Sequence, residues 1–81
     1  MIEVTERAAA AVAQAEAAAR RFNPAMRIRL VRVDAGVGFA FTDAPPDGDD
    51  TVPCEAAVLY VEPGLSGTLD TGDHNAPVLS A

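Results

Sequence analysis

The run Met26-Arg27-Ile28-Arg29-Leu30-Val31-Arg32-Val33-Asp34-Ala35-Gly36-Val37-Gly38-Phe39-Ala40-Phe41 decides the fold of this chain. Met26, Ile28 and Leu30 alternate with Arg27 and Arg29, the period-two pattern of a half-buried strand. After Leu30 the phase slips, because Val31 and Val33 are apolar with Arg32 between them. A one-residue slip inside a strand predicts a bulge. Asp34-Ala35-Gly36 turns the chain, and Val37, Phe39 and Phe41 then alternate with Gly38 and Ala40. The two arms read as a hairpin. Gly38 and Ala40 make a small-residue face on which a neighbour can lie close.

Upstream, Met1 to Thr5 begins with Ile2 and Val4 alternating with Glu3, a short strand. Thr5 suits a helix N-cap, with Glu6 favourably placed in the first turn. Ala8, Val12, Ala15, Ala19 and Phe22 recur at intervals of four and three, which predicts an alanine-rich helix over 6 to 22. Arg20 and Arg21 complement the dipole at its end, and Asn23-Pro24 stops it.

Downstream, Ala44-Pro45-Pro46-Asp47-Gly48-Asp49-Asp50 has the composition of a loop. Ala57 to Val61 reads as a buried strand broken by Pro63-Gly64. Leu65 to Asp70 reads as one helical turn or an irregular link. Thr71 to Asn75 is polar, and Pro77-Val78-Leu79 suits a last edge strand. The order predicts one α+β domain over 1 to 81, β-rich and mostly antiparallel, with an N-terminal strand and one helix.

Of the 40 hydrophobic residues, 17 are alanine, so the core must come from 23 larger side chains. A chain of this size buries only about 60% of its unfolded surface. Association that covers one more face would help, so a homo-oligomer is a fair expectation. The net charge is −6, divided between +2 over residues 1 to 34 and −8 over 35 to 81. Such a chain is a poor ligand for nucleic acid or an anionic membrane surface. No apolar run approaches the roughly 20 residues of a membrane span. No basic segment precedes an apolar one at the N-terminus, and the single cysteine excludes an internal disulfide framework. The expectation is a cytoplasmic protein.

Few residues carry chemistry. Cys54 is the only soft ligand and His74 the only imidazole. An iron–sulfur cluster usually takes four protein ligands, so Cys54 with His74 would suffice only between two copies. The simpler reading is a semi-buried cysteine behind Pro53 and a solvated histidine between Asp73 and Asn75. Ser66 lacks the Gly-x-Ser-x-Gly elbow of a nucleophile. From Asp43 as position 1, an EF-hand would need an acid where Pro45 stands and a glutamate where Cys54 stands, so calcium is rejected. Gly36-Val37-Gly38 precedes a strand rather than a helix and is no phosphate loop. Arg27, Arg29 and Arg32 form the one basic cluster, either a grip for an acidic partner or internal partners for the acids of the second half.

Several of these segments together resemble the HesB/IscA-like family, the A-type carriers of iron–sulfur assembly. The opening Ile2-Glu3-Val4-Thr5 before an alanine pair looks like the family's start. Gly38-Phe39 looks like the end of its Gly-Cys-Ser-Gly-Phe motif, and Val58 to Pro63 like its Val-x-Val-Asp-Pro strand. Asp49-Asp50 resembles its acidic turn, and Leu65 to Asp70 its Leu-Asp-Gly-Thr-x-Ile-Asp segment, shortened. Aligned so, Gly36 and Val37 stand where the motif has cysteine and serine, and residues 71 to 81 hold no Cys-Gly-Cys. The resemblance implies the family's β-rich domain and a divergent role in iron–sulfur assembly through protein contact, without the three-cysteine site and without enzymatic activity. Protein partners, assembly proteins among them, would then dock on the Arg27/Arg29/Arg32 face or on the Gly38/Ala40 face. Two alternatives stay open: an iron or cluster carrier formed between subunits through Cys54 and His74, and a small acidic binding or regulatory module with no iron link.

Overall fold

The computed structural model describes residues 2 to 34 and 36 to 81; Met1 and Ala35, which the sequence reading included in the opening strand and the hairpin turn, lie outside them. Strand β1 (Ile2–Val4) leads into helix α1 (Glu6–Arg20). Strands β2 (Arg27–Val33), β3 (Gly36–Thr42), β4 (Asp50–Cys54), β5 (Ala57–Val61), β6 (Gly67–Thr71) and β7 (Pro77–Ser80) follow, with a short 3-10 turn at Asp73–Asn75. They form a four-stranded sheet of order β3-β2-β5-β4 and a three-stranded sheet of order β1-β6-β7. Both sheets are mixed. β2 runs parallel to β5 and β1 parallel to β6, while β2–β3, β4–β5 and β6–β7 are antiparallel. The α+β class is as the sequence implies; the parallel pairs qualify its mostly antiparallel character.

Side chains of α1 and both sheets meet in one core. Ile28, Leu30, Leu59, Val61, Leu69, Val12, Ala8 and Cys54 are all but fully buried there. Alternation along β2 and β5 explains this, because Ile28 pairs with Leu59 and Leu30 with Val61 on a single face. The Thr5 hydroxyl accepts from the Ala8 N–H at 3.1 Å and starts the helix as its sequence predicts.

Four expectations need correction. The predicted bulge is absent, since β2 and β3 stay in register from Arg27↔Thr42 to Val33↔Gly36. The slipped pattern has another cause: β2 outruns the core, so Arg32 lies exposed on the core side while Val33 emerges on the opposite face. Residues 67 to 70 are strand rather than a helical turn or an irregular link, because Gly67–Thr71 is gripped by β1 on one edge and β7 on the other. Gly67 has φ +121°, and a Cβ there would run into the Ser80 carbonyl oxygen, so only glycine lets β7 pass so close. The helix ends at Arg20 with Arg21 as its cap. Its buried face is Ala8, Val12 and Glu16, one residue every four, and Phe22 falls outside it. Strand β4 takes in Asp50, which the composition assigns to the loop; antiparallel pairing with β5 makes residues 50 to 54 a strand despite Pro53, which an edge tolerates.

Candidate functional site

Cys54 closes β4 opposite Ala57, on the same face as Val52 and Leu59, and its exposure is 0%. Burial pushes its thiol pKa up; the nearby charges of Glu16 and Glu55 add to this, and a hydrogen bond with the Leu59 backbone partly offsets it. A thiolate is the form that binds metal, and this setting disfavours it. His74 lies exposed in the 3-10 turn between β6 and β7, in left-handed backbone at φ 56°. The two candidate ligands thus belong to different sheets, one inside the core and one on the surface. Among the described residues, no three His, Cys, Asp or Glu side chains gather to hold a metal ion. Gly36 and Val37, at the positions of the family's cysteine and serine, open β3, and Val37 packs against the core.

The three arginines do not share one surface. Arg27 and Arg29 stand on the same face of β2, and Arg32 faces the other way by simple alternation. Arg29 donates from Nε and Nη2 to the two carboxylate oxygens of Asp49, at 2.6 and 2.8 Å. Arg27 places its Nε 3.8 Å from the buried carboxylate of Glu16 and donates to the Met26 carbonyl from Nη1. The Arg32 backbone N–H donates to Glu62 Oε2, and its guanidinium makes no ion pair among the described residues. Two of the three cations are therefore engaged with acids of this chain.

A surface that the sequence reading passed over lies at the end of α1. Phe22, 92% exposed, and Phe41, 58% exposed, line an open groove of about 420 Å³ with Met26, Ala15, Ala18 and Ala19. Phe41 stands opposite Ile28 on the core-facing side of β3. It is uncovered because the helix opposite offers only alanine methyl groups. The available signal was Phe22 itself, set directly before the Asn23-Pro24 stop. The Asn23 N–H donates to the Ala19 carbonyl at 3.1 Å, and that final turn leaves the Phe22 ring outside. Arg20 and Arg21 flank it, both exposed.

No helix among the described residues is long and apolar enough to cross a membrane. Comparison with family models, with curated proteins and with solved structures finds no match to this chain.

Proposed function

We propose that this chain is a divergent HesB/IscA-like protein that serves iron–sulfur assembly by binding another protein, without a three-cysteine cluster site and without catalysis. The single observation that carries the contact role is the groove of Phe22, Met26 and Phe41. Two phenylalanines that are mostly in water, side by side on a chain with three phenylalanines in all, are a costly surface unless something covers them. Aromatic side chains in such a pocket are the usual anchors of an interface, with Arg20 and Arg21 as a polar rim. The link to iron–sulfur assembly rests on the residue resemblance of the opening strand, Gly38-Phe39 and Val58 to Pro63.

The test is a titration of the purified chain against purified iron–sulfur assembly proteins of its source, with Phe22→Ser and Phe41→Ser beside the wild type. Binding that both substitutions weaken at least about tenfold supports the reading, a loss in the range of a buried aromatic anchor. Absence of binding to every assembly protein moves the chain to the class of acidic binding modules with no iron link. Anaerobic reconstitution with iron and sulfide runs in parallel. Retained colour that disappears in Cys54→Ala would assign a carrier role instead.

A further inference from the structure

The side-chain carbonyl carbon of an aspartate or asparagine lies within reach of the next residue's backbone nitrogen, and attack closes a five-membered ring. A Cβ on that next residue crowds the nitrogen, and glycine has none. In this sequence one such residue precedes glycine, the pair Asp47-Gly48. The fold leaves the pair open. Asp47 and Gly48 are exposed and make the turn between Pro46 and Asp49, which the Asp49 N–H closes by donating to the Pro46 carbonyl at 3.2 Å. A Cβ at Gly48 would meet only Pro63 Cγ, at 3.9 Å. Among the described residues the Asp47 carboxylate has no ion pair and the Gly48 N–H no backbone acceptor. Elsewhere the same chemistry is crowded or held. Asp70 is bound by Arg7, Thr5 and the Thr71 N–H, and Asp49 by Arg29. The Ala44 N–H after Asp43 donates to Thr42, and the Ala76 N–H after Asn75 donates to Asp73. Asn23 precedes Pro24, which has no N–H.

We propose that Asp47 is a self-modification site, which isomerises to isoaspartate through a cyclic imide and thereby loosens the contact of Asp49 with Arg29. The Gly48 nitrogen bonds to Cγ of the protonated Asp47 carboxyl, whose OH leaves with the amide proton as water. Water then adds to one of the two ring carbonyls. Opening at Cγ returns aspartate. Opening at the original main-chain carbonyl breaks its bond to the Gly48 nitrogen. The chain then continues through Cβ and Cγ, and the old carbonyl becomes a free carboxylate. Nothing is oxidised or reduced, and water is the one co-reactant. The product has one more carbon in its main chain at 47, so the turn from Pro46 to Asp49 loses the spacing that its hydrogen bond needs. Asp49 lies two residues on. It meets Arg29 through two parallel bonds of 2.6 and 2.8 Å, a geometry that tolerates little displacement. This inference concerns the acidic loop and stands apart from the groove reading.

The experiment is prolonged incubation of the folded chain at neutral pH and body temperature, with Gly48→Ala beside the wild type. Samples are digested with a protease that cuts before aspartate and not before isoaspartate. In the wild type the cut before Asp47 is expected to disappear with time, with no net change in mass, while the cuts before Asp43 and Asp70 persist. Gly48→Ala is expected to slow that loss at least about tenfold, because its Cβ crowds the attacking nitrogen. The open space around Gly48 lets this variant fold. The isomerised wild type is then separated by chromatography, and its amide exchange at Asp49 and along residues 50 to 54 is expected to quicken. A cut before Asp47 that persists in the wild type, or is lost no faster there than in Gly48→Ala, overturns the proposal. Isoaspartate at 47 with unchanged exchange at Asp49 overturns its link to Arg29.

Discussion

Arg29 of β2 holds Asp49 with two parallel hydrogen bonds, and the Asp49 side chain is only 1% exposed while that of Arg29 is 19% exposed. The pair fastens the acidic loop onto the outer face of the four-stranded sheet, one residue before β4 begins. Its geometry is the fork-to-fork contact that arginine makes better than lysine. Hydrogen bonding to Asp49 raises the Arg29 pKa despite its burial. Removing one partner leaves the other charged and without an ionic partner. Asp49→Ala is therefore expected to destabilise the fold by about 3 kcal/mol in urea unfolding, and Arg29→Lys by about 1. The double change Arg29→Met with Asp49→Leu should recover most of the loss. If the double variant is no more stable than Asp49→Ala, the pair contributes more than its mutual charge.

Asp70 predicts a distinct acid limb. Arg7 donates to both of its oxygens, at 3.2 and 2.8 Å, and the Thr71 N–H and the Thr5 hydroxyl donate to Oδ1 at 2.8 and 2.9 Å. These bonds, the Arg7 contact first, hold the Asp70 pKa at about 2. A carboxyl held low favours the folded state only while it is ionised. Its contribution is complete above the unfolded value of about 3.9 and is lost as the pH falls toward 2. Stability measured from pH 5 to pH 2 should fall more steeply in the wild type than in Asp70→Asn. Equal slopes would mean that the Thr5 cap and β6 are not joined through this carboxylate.

The thiol of Cys54 should be inert in the folded protein. It is fully buried, and burial disfavours the thiolate that reacts. A thiol reagent is expected to label the chain only after denaturant is added. Cys54→Ser puts a hydroxyl into an apolar site and should cost about 2 kcal/mol. Rapid labelling under native conditions would show that the β4–β5 hairpin opens, and would bring the thiol within reach of a metal.

The elements legible in the sequence are those whose local pattern and tertiary setting agree. The arms on either side of Asp34-Ala35-Gly36 form strands, though without the bulge that their slipped phase predicts; Thr5 caps the helix it precedes, and Ala57 to Val61, apolar throughout, forms its strand. Strands β4 and β6 were not legible, because neither has a strand pattern of its own. Asp50-Thr51-Val52-Pro53-Cys54 holds an acid and a proline, and Gly67-Thr68-Leu69-Asp70-Thr71 opens with glycine. Pairing makes them, β4 with its neighbour β5 and β6 between the distant β1 and β7, and β propensity is weak against that context. The candidate residues show the same division. Residue type singled out Cys54, His74 and the arginines, but that Arg29 meets Asp49 depends on how the acidic loop folds back, and that Arg27 meets Glu16 on how α1 packs. Phe22 reads as core from its spacing and lies in water because the helix stops two residues earlier.

Phe22 also separates contact from stability. A ring this exposed has little to lose on folding, so Phe22→Ser should leave the unfolding midpoint within about 0.5 kcal/mol of the wild type. Phe39→Ser, by contrast, removes a side chain packed against the core and should cost about 3 kcal/mol. Comparable losses from both would mean that Phe22 packs inward in solution, and the groove would lose its claim as a contact surface.

Gly67 is the position where one methyl group should be least tolerated. Its backbone is left-handed, and the space a Cβ would need is taken by the Ser80 carbonyl. That carbonyl belongs to backbone at the end of β7, so it has no rotamer through which to move aside. Gly67→Ala must either shift β7 or force φ out of its well, at a cost of about 3 kcal/mol or more. Gly36→Ala is the matched control, since its Cβ would meet nothing within 4 Å, and it should cost far less. Thermal unfolding of the two variants side by side decides the matter. If they melt together, β7 does not hold its place against β6, and the three-stranded sheet ends at β1 and β6.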